Sequence, residues 1–301
     1  MPPACLRAAA LTWVAALVLP AANAGWRLEH AEDFSAGRPL DSTFWRVESG
    51  FQRNHESQYY TPGNLRIADG ALTFEARKET RPNADWREAA RDWRQAARSA
   101  QYTSASIVAR REMLFGRIEV VARSPSGAGV WPAIWLLHER EREYGEIDVF
   151  EAVGKHPDTV FAAVHYGRDA PTRQHRGGSL HFPGFEGSWR THSLEWTPDR
   201  IVMAVDGRQV FAFDPRAAAA AGADPLRRPM YLHLNLALGG SWGGPIDDAR
   251  LPARFQVSSI KIWRWQPDDG VPAIAATAAS AARAEPSAPP PDAPPAMRWG
   301  R

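Results

Sequence analysis

Thr191-His192-Ser193-Leu194-Glu195-Trp196, then Ile201-Val202-Met203-Ala204-Val205, then Val210-Phe211-Ala212-Phe213 is the stretch from which the fold can be read. Side chains alternate along the first run, which is the period of a strand. Pro198-Asp199 separates the first run from the second, and Asp206-Gly207 separates the second from the third. An Asp-Gly pair between apolar runs is a hairpin turn, because both residues tolerate positive φ. The same grammar recurs in Leu65 to Ala76 around Asp69-Gly70, in Gly116 to Arg123, in Tyr231 to Leu238 and in Val257 to Trp263. Many short strands, hairpin turns and few helical stretches predict an all-β chain of two antiparallel sheets packed as a sandwich. Ala84 to Ala100, rich in Arg, Ala and Trp, is the exception. It reads as a helix in a solvated surface insertion, with a lid over a binding cleft as the alternative.

The 301 residues are ample for a sizeable core. Thirty-six Lys+Arg stand against 34 Asp+Glu, a net charge of +2 that gives no basic excess for a polyanion. With no basic stripe or recognisable module, a nucleic-acid partner is excluded. Thirteen Trp residues suit a sugar-binding surface, since a flat apolar face with one polar edge is what a sugar ring stacks on.

Residues 1–24 read as a signal peptide, with Arg7 before an apolar run and Ala22-Asn23-Ala24 as the cleavage site. The run is too short for a membrane span, so a secreted or periplasmic protein is expected. Cys5, the one cysteine, falls inside the signal, which leaves no disulfide, Cys–metal site or Cys nucleophile in residues 25–270. Residues 271–301 are Ala- and Pro-rich and read as a disordered tail.

Chemistry concentrates in Gly145-Glu146-Ile147-Asp148-Val149-Phe150-Glu151. Three acids on an apolar strand are costly to bury without a task. Strict alternation would put Glu146 and Asp148 on one face and Glu151 in the hydrophobic layer. One β-bulge near Val149–Phe150 resets the alternation and brings all three to one cleft. The two glutamates then lie roughly 13 Å apart at Cα, at ~3.3 Å per residue. Side chains leaning together can close this to the ~5–5.5 Å carboxyl spacing of a retaining glycosidase. Asp148 between them would hold the two pKa values apart.

Around this strand stand Asn54-His55-Glu56-Ser57-Gln58-Tyr59-Tyr60, Phe115 to Val120, Trp131-Pro132-Ala133-Ile134-Trp135, Val164-His165-Tyr166, Glu195 to Ile201 and Leu234-Asn235 to Gly244. In this order they resemble glycoside hydrolase family 16, and within it the laminarinase-like bacterial β-glucanases, from about Trp26 to Trp265. The resemblance implies a β-jelly roll whose concave sheet carries an open cleft. It implies Glu146 as nucleophile, Asp148 as assisting acid and Glu151 as general acid/base. The extra residue before Glu151 resembles the family's bulged branch. Trp131 and Trp135 match aromatics beside the scissile bond, with core packing expected for one of them and Trp131 the better sugar platform. His165 matches a position close to the acid/base, and Asn54, Asn235 and Trp242 match subsite positions.

The implied activity is retaining hydrolysis of β-1,3 or mixed β-1,3/1,4 glucans by a monomer. Alternatives are an agarase- or carrageenase-like galactan hydrolase, a non-catalytic glucan-binding module, and a carboxylate metal site built from Glu146, Asp148, Glu151 and His165. The last is disfavoured because the strand carries no phosphate-gripping Lys or Arg, so no metal or cofactor is expected. Two features depart from the family. His138 to Tyr144 replaces a Gly-Trp-Pro segment, and Ser258 stands where an aspartate would bind a structural calcium; a hydroxyl supplies no anionic oxygen to that hard cation.

Overall fold

The computed structural model describes residues 25–140, 143–168, 172–219 and 223–266. The expected signal and tail lie outside the described residues. In chain order the strands are β1 (Trp26–Asp33), β2 (Trp45–Val47), β3 (Gln58–Tyr60), β4 (Leu65–Ala68), β5 (Ala71–Pro82), β6 (Ser99–Ser104), β7 (Ser106–Ala109) and β8 (Gly116–Arg123). There follow β9 (Val130–Arg140), β10 (Glu143–Glu151), β11 (Thr159–Gly167), β12 (Gln174–His181), β13 (Trp189–Trp196), β14 (Ile201–Val205), β15 (Arg208–Phe213), β16 (Tyr231–Leu238) and β17 (Ala253–Trp265).

They form two sheets. One has ten strands, in the order β15-β14-β13-β8-β17-β5-β6-β3, with β1 added on β17 and β4 on β5. The other has seven, in the order β12-β11-β10-β9-β16-β7-β2. The β3–β6 pair is parallel, which the hairpin grammar did not foresee. The two Asp-Gly turns form as the sequence predicts: φ is 53° and 75° at Asp69-Gly70, and 47° and 74° at Asp206-Gly207.

The core lies between the sheets, and period-two alternation decides which residues enter it. On β9, Ile134 and Leu136 pack inward, while Trp131, Ala133, Trp135 and Leu137 form a separate apolar layer on the outer, concave face. On β16, Leu232, Leu234 and Leu236 pack inward, and His233 and Asn235 face the same concave layer. The seven-stranded sheet is therefore buried on both faces at its centre. The two sheets make a β-jelly roll with one concave surface.

The 84–100 segment is not a helix. Only Trp93–Ala96 makes one turn, started by Asp92, whose carboxylate accepts from the Arg94 amide at 3.0 Å. Ala89 has φ 56°, a left-handed conformation that no helix interior allows, and Ser99 onward belongs to β6. The Ala-rich composition signalled helix propensity, but this backbone reversal overrides it.

His192 sits in the core on β13 with no exposure, its ring 4.1 Å from that of Phe150. Neither ring nitrogen has a hydrogen-bond partner among the described residues. Burial pushes this imidazole down to about 3. The unfolded chain binds the proton near pH 6.5 and the folded one does not, so stability is lost as pH falls from about 6.5 toward 3. At pH 5 the loss from this residue is about 2 kcal/mol. His192→Leu is expected to shrink the fall in Tm between pH 7.5 and pH 5; an unchanged fall would contradict this reading.

Candidate active site

β10 departs from regular pairing at one place. Its register against β9 shifts between Asp148 and Phe150, and against β11 between Asp148 and Glu151. Before the shift, Glu146 faces Leu137 and His165, and Asp148 faces Trp135 and Ala163. After it, Glu151 faces Ala133 and Phe161. Val149 and Phe150 both point into the core, and two consecutive inward residues are what a bulge produces. All three acids thus join the concave face. Gly145 is required at the strand's entry, because a Cβ there would stand 2.4 Å from the carbonyl oxygen of Pro225.

The acids are almost wholly withdrawn from solvent, with exposures of 0% for Glu146 and Asp148 and 1% for Glu151. Burial and the neighbouring Asp148 push Glu146 up to about 8. Burial drives Glu151 well above the usual carboxyl range, with Asp148 adding to it, and burial also raises Asp148. Each has a different neighbour. The Tyr144 hydroxyl donates to Glu146 Oε2, and the Trp131 indole N–H donates to Glu151 Oε1 at 2.9 Å. His165 Nε2 lies 3.2 Å from Asp148 Oδ2 and 3.9 Å from Glu146 Oε1. Burial lowers the His165 imidazole, with Glu146 opposing that shift. The cluster therefore holds protons at neutral pH rather than three negative charges.

His165 thus stands by Asp148 and Glu146. Its place opposite Glu146 in the β10–β11 register is the reason. Trp131 has 2% exposure and packs edge-on to Trp242, with ring centroids 5.4 Å apart. It meets the acid through its N–H. Trp135 is covered on both faces, by the His233 ring at 4.2 Å and by the Arg53 guanidinium at 5.2 Å, so it offers no open face to a sugar.

Asn235 and Asn54 occupy one buried hydrogen-bond chain. Trp135 N–H donates to Asn235 Oδ1 at 2.8 Å, and Asn235 Nδ2 donates to Tyr60 OH at 3.1 Å. Tyr60 OH in turn donates to Glu56 at 3.1 Å, which also accepts from Gln58 at 2.7 Å and Asn54 at 3.1 Å.

Sequence reasoning missed Tyr144, Glu56 and Arg173. Tyr144 was legible in principle, since it precedes Glu146 by two residues and so shares its face. Arg173 was not. It reaches from the start of β12 to lie 3.4 Å above the Tyr144 ring centroid, a placement that only the fold creates. On the other flank the concave face opens into a cavity of about 560 Å³ lined by Arg46, Gln52, Leu137, His138, Tyr231 and His233 among others.

Among the described residues, Glu146, Asp148 and His165 alone bring three donor atoms within 4.8 Å of one another, close enough to converge on an ion. At the expected calcium position, Ser258 lies in a bulge of β17, its hydroxyl 3.4 Å from the Val121 carbonyl oxygen.

A model of the family described as Glycosyl hydrolases family 16 matches residues 52–251. A β-glucanase of Rhodothermus marinus is 33% identical over 263 residues, covering 80% of this chain and 86% of its own. Glucan endo-1,3-β-glucosidase A1 of Niallia circulans is 31% identical over 275 residues, 81% of this chain and 39% of that protein. A solved structure from work on endo-acting O-glycanases that initiate mucin breakdown in the human gut microbiota superposes with a TM-score of 0.76 at 32% identity, covering 83% of this chain and 93% of that one. Among the described residues, no helix is long and apolar enough to cross a membrane.

The Tyr144 hydroxyl bond favours ionised Glu146, so Tyr144→Phe should raise the Glu146 midpoint by about one unit, the worth of a hydrogen bond to a charged acceptor. Carboxyl-carbon NMR of labelled glutamates would show it, and an unmoved Glu146 would contradict the assignment.

Proposed function

The chain belongs to glycosyl hydrolases family 16, and from that premise we propose that it is a retaining endo-β-glucanase acting on β-1,3 or mixed β-1,3/1,4 links. The observation that carries this is the bulged acid strand, with Glu146 and Glu151 on one face and a different donor on each. The names of the two glucanase relatives support the choice of glucan.

In this reading Glu146 attacks the anomeric carbon from the face opposite the departing sugar. Glu151 gives its proton to the glycosidic oxygen as the bond breaks, leaving a glycosyl ester on Glu146. Glu151, now ionised, takes a proton from water, which attacks the same carbon, frees Glu146 and returns the β configuration. The strong upward pressure on Glu151 suits the group that must carry a proton into the first step. Glu146 must be ionised to attack, and the Tyr144 hydroxyl works in that direction. Asp148 sits between the two and keeps their ionisations apart, with the His165 ring beside it. No metal or cofactor enters these steps. Export directed by residues 1–24, a tail from residue 271 that the chemistry does not need, and action as a monomer belong to the same proposal.

A digest of laminarin, mixed-linkage glucan, agarose, carrageenan and mucin tests it. Glucan cleavage at internal links is expected, with the β-anomer appearing first by proton NMR before mutarotation. Cleavage confined to galactans or mucin would overturn the substrate, and an initial α-anomer would overturn the mechanism.

A further inference from the structure

The 83–98 insertion has no buried apolar side chain of its own, yet it carries two tryptophans. It is nevertheless firmly built. Asn83, 6% exposed, donates from Nδ2 to the carbonyls of Arg94 at 2.8 Å and Ala97 at 2.9 Å, which closes the loop from inside. Arg98 lies 4.5 Å over the Trp86 ring. The insertion rests on the turn before β3, where the Asp85 carboxylate comes against Gly50. Such an arrangement adds little to the core, because nothing large is buried by it.

What the insertion does is hold Trp93 at one place. The half-buried indole lies 4.8 Å from the His55 ring at an interplanar angle of 32°, and 5.7 Å from Phe51. His55 is exposed and has φ 51°, directly after Asn54 at φ 55°. Two consecutive non-glycine residues in the left-handed region cost roughly 1–3 kcal/mol each and persist only where the surroundings impose them. Here the Asn54 carbonyl accepts from the Ser241 amide at 2.9 Å, and Glu56 bridges to Gly239. This ties the turn to the loop bearing Trp242, hence to Trp131 and to Glu151. In the same turn Asn54 Oδ1 is buried and has no donor among the described residues. A buried acceptor without a donor is costly unless a ligand supplies one, and a sugar hydroxyl is such a donor.

We propose that the 83–98 insertion adds a sugar-binding subsite at the Glu151 end of the cleft, where Trp93, seated against His55 and Phe51, stacks a neutral hexose ring of the polysaccharide. The subsite rests on the glycan-hydrolase reading above and deepens it. It lies beyond the acids, so it acts on chains long enough to reach it and leaves bond cleavage itself to the acid strand.

The test compares Trp93→Ala and Trp93→Phe with the parent on oligosaccharides of increasing length, taken from whichever polymer the parent cleaves in the digest. That choice keeps the test independent of the glucan assignment. The expected result is a parent kcat/KM that climbs with length, and a Trp93→Ala loss of about tenfold, carried by KM, on the longest members only. Trp93→Phe should restore most of it, since a flat ring is what stacks. Should the alanine variant fail to fold, Trp93→Leu, which keeps apolar contact with Phe51 but has no ring, takes its place with the same expectation. Equal losses at every length, a loss in kcat alone, or no loss at all would overturn the proposal.

Discussion

Holding three carboxyl groups on one buried strand is the constraint around which the concave sheet is arranged. Each ionised carboxylate taken out of water costs several kcal/mol, and like charges a few ångströms apart add to it. The structure meets this cost in two ways. It leaves protons on the cluster, by burial and mutual repulsion, and it gives Glu146 and Glu151 separate donors in Tyr144 and Trp131. The bulge is the geometric half of the same solution. Without it Glu151 would point among Ile147, Val149 and the rest of the inner core, away from the Trp131 indole that donates to it.

The layer beside the acids is rigid for a related reason. Trp135, Asn235, Tyr60, Glu56 and Asn54 form a hydrogen-bonded chain that crosses from β9 through β16 to β3. Next to it the buried Arg53 pairs with Glu48, which also accepts from Ser106 and is held at about 2 by that cation, although burial opposes it. Breaking one partner of such a pair leaves an uncompensated buried charge, so these residues fix one another's positions. Trp135 is clamped between Arg53 and His233 by the same set, and Trp131 is left to hold Glu151. A sheet whose concave face is tied in this way presents its acids at constant spacing, which displacement at a sugar carbon needs.

How much of this could be read beforehand depended on the range of the signal. The Asp-Gly hairpins are local, and both turns formed where the sequence put them. The bulge was legible because only a break in alternation puts Glu151 with Glu146. Core packing was expected for one of the two tryptophans, with Trp131 the better platform; Trp135 is packed between Arg53 and His233, and Trp131, 2% exposed, meets Glu151 through its N–H. The contact of His165 with Asp148 was not legible, because register between β10 and β11 is set by pairing that no local pattern encodes. The insertion failed as a helix because its backbone turns left-handed at Ala89 and is extended at Asp92 and Ala97, against the propensity of its alanines.

The central claim is that position on the bulged strand divides the labour between Glu146 and Glu151. External azide on an aryl β-glycoside tests it most directly. In Glu146→Ala the acid remains and the nucleophile is gone, so azide enters from the opposite face and gives an α-glycosyl azide. In Glu151→Ala the glycosyl ester still forms from the activated substrate, and azide, which needs no base, displaces it to give the β-product. Opposite stereochemistry from the two variants is the predicted result; the two products exchanged, or the same anomer from both, would contradict the account.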